Sequence, residues 1–295
     1  MEREFISWYA RLSSGGNNYM IPHLPTLRIL PIDRVILHED HDLQRTQPLV
    51  SKLRAQGILR NPPIVMSLTD NSGRYMVLDG ANRVTSLREM EFPHIVAQVV
   101  EASNPHVNLQ TWNHVVWEMS TKTLMSALRK IQGIELIKVN SLKSLDAPMY
   151  TPMQIRLADG RFYIIEEAPS ELATHINTLH QIVNTYKTRA SLDRTSQTLI
   201  DSFKKVYSDL TALIIFPRFK IKTVLKLAGQ DIVLPTGITR FTVSPRVLHL
   251  NYPLHELSSG KPLEYKDAYL QQWVEERVKN KGVRHYAEAT FLFDE

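Results

Sequence analysis

Three stretches of the chain carry side chains whose types and spacing suit chemistry. The first, Gly73-Arg74-Tyr75-Met76-Val77-Leu78-Asp79-Gly80-Ala81-Asn82-Arg83-Val84-Thr85-Ser86-Leu87, reads as an apolar strand that turns through Asp79-Gly80 into a helix. A helix start presents free backbone N–H groups and the positive end of the dipole, so a glycine there lets an anion approach closely. Arg83 in the first turn adds a forked donor suited to phosphate, and Thr85 adds a hydroxyl. The same residues read equally well as an Asp cap, a tight-turn glycine and a solvated arginine, because a short glycine turn is weak evidence by itself.

The second stretch, Leu37-His38-Glu39-Asp40-His41-Asp42-Leu43-Gln44-Arg45, puts three carboxylates and two imidazoles into one polar segment after a strand. A carboxylate there could serve as general base or help hold Mg²⁺, whose preferred ligands are oxygens. A solvated acidic loop that caps the next helix is the plainer reading. No third and fourth ligand at zinc spacing follows the histidines. The third candidate has two parts. Thr111-Trp112-Asn113-His114 sets an aromatic ring beside hydrogen-bonding groups, as a pocket wall or as core. Pro235-Thr236-Gly237-Ile238-Thr239-Arg240-Phe241 places Arg240 at the start of an alternating strand, where it could hold a carboxylate bidentately or sit at a strand edge.

The elements that must position these residues alternate from Leu27 to about Trp117, the mark of an α/β unit. Strands are expected at 27–32, 64–66, 75–78 and 94–100. The middle two form a hairpin across Thr69-Asp70-Asn71-Ser72-Gly73. Helices are expected at 46–56, stopped by Gly57, and after Gly80 with Val84, Leu87 and Met90 inward. The remainder reads as a second, mixed α+β lobe. Its helices fall at 119–131, 170–187 and 262–280, its strands near 211–216, 238–250 and 284–293, and Ala158-Asp159-Gly160-Arg161 marks a tight hairpin. Ahead of these, Phe5, Ile6, Tyr9 and Leu12 predict an appended helix that breaks at Ser13-Ser14-Gly15-Gly16. The expected division is an extension at 1–26, an α/β domain at 27–117 and an α+β domain at 118–295.

Composition narrows the chemistry. A chain of 295 residues with 43% hydrophobic and 22% charged side chains packs a real core, which excludes disordered and fibrous classes. The net charge of +5 is spread without a basic block and favours anionic ligands only mildly. With no cysteine, disulfides, thiolate metal sites and cysteine nucleophiles are excluded, and a reducing compartment fits. No apolar run reaches the roughly 18 residues of a membrane helix, and the acidic start lacks a signal peptide's features, so a cytoplasmic protein without membrane partners is expected.

The Asp-Gly-x-x-Arg turn on a strand-to-helix junction resembles the ParB/sulfiredoxin-like fold. More narrowly the chain is similar to the free L-serine kinases of that fold, the siderophore-associated type. The resemblance covers about residues 28–295: Leu30-Pro31-Ile32-Asp33, Leu37-His38-Glu39, Gly73 to Leu87, Thr111 to His114, Gly237 to Phe241, and a terminal strand with Tyr286 and Glu288. It implies an α/β (α+β) architecture with a ParB/sulfiredoxin-like N-terminal lobe. It also implies transfer of the terminal phosphoryl group of ATP, or of ADP, to the hydroxyl of free L-serine, giving O-phospho-L-serine. On that template Glu39 takes the catalytic acid position, and Asp79 joins it as a catalytic group and ligand of Mg²⁺. Gly80, Asn82, Arg83 and Thr85 hold nucleotide phosphate, while Trp112, His114 and Arg240 hold the amino acid. Asn82 stands where the family usually has histidine, which removes a titratable donor but keeps an amide N–H.

Two relatives of the fold make poor matches. Sulfiredoxin chemistry needs a cysteine that this chain lacks. A partition protein needs a helix-turn-helix and a richer arginine box, so nucleic acid is not the expected partner. A nucleotide- or amino-acid-sensing regulator without catalysis is the remaining alternative, and Glu39 separates it from a kinase, because a binding module needs no base.

Overall fold

The computed structural model describes residues 24–41, 43–140, 153–167 and 171–286. The helix expected at 3–12, Asp42, Glu288 and most of the strand expected at 284–293 lie outside them, and Arg284–Tyr286 are irregular.

The apolar runs become strands buried on both faces. β1 (Leu27–Pro31), β2 (Val35–Ile36), β4 (Ile64–Ser67), β5 (Tyr75–Asp79) and β6 (His94–Val100) form a mixed sheet in the order β1-β6-β4-β5-β2, with helix α1 (Leu43–Gln56) and the short strand β3 (Ile58–Leu59) between β2 and β4 in the chain. Side chains alternate across a strand, so the β4–β5 hairpin feeds two cores. Val65 and Val77 enter one, with Val84 and Leu87 of helix α2 (Ala81–Glu89). Ile64, Met66, Met76 and Leu78 enter the other, with helices α3 (Thr121–Leu128), α4 (Leu172–Asn184) and α5 (Ile221–Gly229).

That second core also takes the inner face of an antiparallel sheet. Its strands, β8 (Asn113–Trp117), β9 (Ile134–Val139), β10 (Met153–Leu157), β11 (Phe162–Glu167), β12 (Ser191–Thr195) and β13 (Leu210–Ile215), run in the order β12-β8-β13-β10-β11-β9. The Asp159-Gly160 signal is the β10–β11 turn, with Gly160 at φ +87°. A separate ribbon pairs β7 (Val107–Thr111) with β14 (Thr239–Val243). The strand expected over 238–250 therefore stops early, because the register ends at Val243 opposite Val107 and Pro245 has no N–H to offer a ladder.

Beyond β14 the chain comes back to the first sheet. After the short helix α6 (Leu254–Ser258), helix α7 (Leu263–Lys279) covers the outer edge of β1, where Asp267 Oδ1 accepts the Ile29 N–H at 2.9 Å and Gln271 Nε2 donates to Leu27 O at 3.1 Å. A capped edge cannot template pairing with another chain. Among the described residues no helix is long and apolar enough to cross a membrane.

Candidate active site

β5 ends at Asp79, and Gly80 starts α2 from a left-handed conformation at φ +98°. A Cβ at Gly80 would lie 2.9 Å from Pro63 Cβ and 3.0 Å from Arg83 Cζ, so side-chain bulk is excluded as well as disfavoured by φ. The first ladder bond runs from Val84 N–H to Gly80 O at 3.0 Å, which leaves the N–H groups of residues 81–83 outside the helical ladder.

Arg83 folds back beneath this turn. Its Nη1 donates to Asn61 O at 2.8 Å and Pro62 O at 3.0 Å, and its Nη2 donates to Asp79 Oδ2 at 3.1 Å. Asp79 Oδ2 also accepts from Arg246 Nη2. Burial would raise the Asp79 carboxyl, but the two guanidiniums outweigh it and hold the group below its ordinary range. Asn82 is half-buried. Thr85 is buried with its hydroxyl oxygen unpartnered, a polar atom one turn into the helix that the fold does not satisfy.

Glu39 is held from the far half of the chain. Segment 38–40 pairs with Leu234, through Asp40 N–H to Leu234 O at 2.9 Å and Leu234 N–H to His38 O at 2.8 Å. This registers Glu39 against the Gly237 turn. Its Oε2 accepts the Gly237 N–H at 2.7 Å, and its Oε1 accepts the Thr239 N–H at 2.6 Å and contacts the Thr239 hydroxyl. A carboxylate offers about four lone-pair sites; the two N–H donors take one on each oxygen and the Thr239 hydroxyl sits against the second on Oε1, which leaves one open on Oε2. His38 lies beneath, with Nδ1 2.5 Å from Val77 O and Nε2 2.8 Å from Thr239 Oγ1. Burial lowers the His38 pKa against the pull of Glu39 and the Val77 carbonyl. The ring is therefore neutral near pH 7, its proton on Nδ1 because a carbonyl can only accept. The single Thr239 hydroxyl proton then faces two acceptors, His38 Nε2 and Glu39 Oε1.

Arg240 follows Thr239, and its guanidinium stacks over the Trp112 ring at 4.4 Å from the centroid. Among the described residues it has no ion-pair partner, so its hydrogen-bonding edge is unspent. His114 is different. It is 1% exposed, with Nδ1 2.8 Å from the Tyr186 hydroxyl and Nε2 2.9 Å from Gly237 O. Both ring nitrogens are occupied by protein, so His114 supports the Gly237 turn from below.

The structure thus joins the three sequence candidates into one run, from Trp112 and Arg240 through Thr239, Glu39 and His38 to Val77 and Asp79 on β5. Within the Gly237–Phe241 motif the sequence points to Arg240 alone: Gly237, at φ +76°, reads there only as a turn, and Thr239 carries no signal of its own. Arg246, in a loop without periodicity, gave no signal at all.

No family model matches the chain. Along its length it is similar to the ATP-dependent L-serine kinase SbnI of Staphylococcus aureus, at 25% identity over 274 residues that span 91% of this chain and 97% of that protein. The structure of C-terminally truncated SbnI superposes with a TM-score of 0.70 at 22% identity, covering 85% of this chain and 97% of that one. The fold is that of the free serine kinases. A free serine kinase in complex with AMP shares it at a TM-score of 0.63 and 14% identity, covering 82% and 98% of the two chains. The ATP-dependent L-serine kinase of Staphylothermus marinus is 24% identical over a shorter stretch, 37% of this chain and 42% of that protein. The likeness to the free serine kinases therefore extends through both sheets.

Proposed function

We propose that the protein is an ATP-dependent kinase of free L-serine. The observation that carries this reading is the run of contacts from Arg240 and Trp112 through Glu39 and His38 to β5, which ends at a helix start with free N–H groups, in a chain that is similar over nearly its whole length to an ATP-dependent L-serine kinase. Arg240, braced by Trp112, takes the serine carboxylate. Glu39 accepts the serine hydroxyl proton on Oε2 as the serine oxygen bonds to the terminal phosphorus of ATP and the bond from that phosphorus to the bridging oxygen of ADP breaks. ADP leaves with that electron pair, and O-phospho-L-serine remains. Gly80, Asn82, Arg83, Thr85 and the N–H groups at the start of α2 form the phosphate cradle.

The donor set fits a magnesium ion that arrives with the nucleotide. Both arginines bond to Asp79 Oδ2, and one carboxylate with phosphate oxygens and water makes up a usual Mg²⁺ shell. When bound, such an ion neutralises charge on the phosphate oxygens. Asp79 would hold it. ATP, free serine and the cysteine-free chain are consistent with a cytoplasmic enzyme.

The test is to incubate the protein with Mg²⁺, ATP or ADP, and a panel of free amino acids, and to identify products by mass spectrometry. Phosphoserine with ATP and serine is expected. Binding of ATP or serine without any phosphorylated product would replace the kinase by a sensing module.

A further inference from the structure

We infer that Arg246 is a nucleotide-phosphate ligand of this site, presented from the second half of the chain by the buried side chain of Gln98. The inference rests on the kinase reading above. Gln98 lies on β6 and is 2% exposed. Its Nε2 donates to Pro245 O at 2.9 Å, and its Oε1 accepts the Val247 N–H at 2.9 Å. The two bonds bracket Arg246. One buried amide, satisfied by the residues on either side, fixes the backbone of this loop against the first sheet. The Arg246 side chain then reaches across to Asp79 Oδ2 at the mouth of the Gly80 turn.

The two arginines at Asp79 are not equivalent. Arg83 is 20% exposed and gives Nη1 to two backbone carbonyls, so turning it toward a ligand would strand both. Arg246 is 42% exposed, and among the described residues Asp79 is its one hydrogen-bond partner. Most of its five N–H groups therefore remain available. One carboxylate between two guanidiniums leaves a net positive charge beside the N-terminus of α2, where a polyphosphate would bring several negative charges. Arg83 shapes the cradle; Arg246 is the cation free to touch what lies in it.

Calorimetric titration of AMP, ADP and ATP into the full-length wild type, Arg246→Ala and Arg246→Lys tests this. Arg246→Ala should weaken ATP binding by about 10- to 100-fold, the worth of a charge-assisted hydrogen bond. The loss should grow from AMP to ATP, and lysine should restore part of it. Gln98→Leu should weaken ATP binding in the wild type and add nothing in the Arg246→Ala background, a pattern that general destabilisation does not produce. ATP affinity of Arg246→Ala within twofold of wild type, or additive losses with Gln98→Leu, would overturn the assignment. Serine phosphorylation by the wild type is measured on the same preparation. If the wild type binds ATP but forms no phosphoserine, the serine-kinase reading fails while the isotherms still decide Arg246; if the wild type binds no nucleotide, both fail.

Discussion

Glu39 and Thr239, 200 residues apart in sequence, are joined twice: the Thr239 N–H donates to Glu39 Oε1 at 2.6 Å, and its hydroxyl contacts the same oxygen. The carboxylate that the kinase reading makes the general base is thus also a link between the two halves of the chain. A general base needs an open lone pair and a fixed position, and two N–H donors with one hydroxyl contact on a four-site carboxylate supply both.

That double role changes what Glu39→Gln should do. Glutamine keeps one acceptor oxygen but sets an NH₂ group against either the Gly237 or the Thr239 N–H, two donors face to face. Stability should fall by about 1–3 kcal/mol, the cost of a backbone donor left unpaired. Turnover should fall by roughly 10²–10⁴-fold, since the proton acceptor is gone. Thermal melts and steady-state rates read the two effects separately. Near-wild-type turnover would make Glu39 a structural link alone.

Arg83→Ala and Arg246→Ala should divide stability from binding. Arg83 satisfies Asn61 O and Pro62 O, so its loss should lower stability by roughly 1–3 kcal/mol through the unpaired carbonyls. Arg246 is substantially exposed, and its removal should leave the melting temperature within a few degrees of wild type. Comparable melting losses in both variants would show that the Asp79 cluster is a single structural unit.

Acid should destabilise the fold through His114. Burial, against the pull of the Gly237 carbonyl, lowers its pKa to about 4 from an ordinary 6.5. The neutral ring donates from Nε2 to Gly237 O and accepts from Tyr186 at Nδ1. A depressed folded-state pKa means that the unfolded chain takes up the proton first. The stability contributed is full above pH 6.5 and is lost as pH falls from 6.5 to about 4, by at most about 3 kcal/mol. His38 adds in the same direction. Urea midpoints at pH 7.5 and 5 should differ in wild type, and the difference should shrink in His114→Gln; an equal difference in both would assign the acid sensitivity elsewhere.

Part of this is legible in the sequence. Asp79-Gly80 was visible because a strand-to-helix junction needs a left-handed residue and the apolar run before it has strand length. By spacing alone Glu39 is one of several acids and only the family resemblance singles it out; the Leu234 pairing that positions it spans nearly 200 residues, beyond any local pattern. His114 was readable as polar but not as buried, since its satisfaction depends on Tyr186 and Gly237 arriving from other elements. Arg246 was invisible for a related reason: its placement depends on Gln98, a polar residue inside an apolar strand, which local periodicity treats only as an interruption.

The pairing of Arg240 with Trp112 gives the sharpest test of substrate handling. The guanidinium carbon lies over the indole 4.4 Å from its centroid, and the hydrogen-bonding edge is left unspent, which suits a bidentate carboxylate. Arg240→Ala should raise KM for serine by about 10- to 100-fold while KM for ATP changes little, because only the acceptor loses a charged partner. Trp112→Ala should raise it less, by about 2- to 30-fold, the range of a cation–π contact, and Trp112→Phe should recover part of that loss because a smaller ring face remains. In the Arg240→Ala background Trp112→Ala should have almost no further effect on serine, since the ring would have no guanidinium left to hold. Equal changes in KM for both substrates, or fully additive losses, would make the stack a brace for the β7–β14 ribbon and send the search for the serine carboxylate's partner elsewhere.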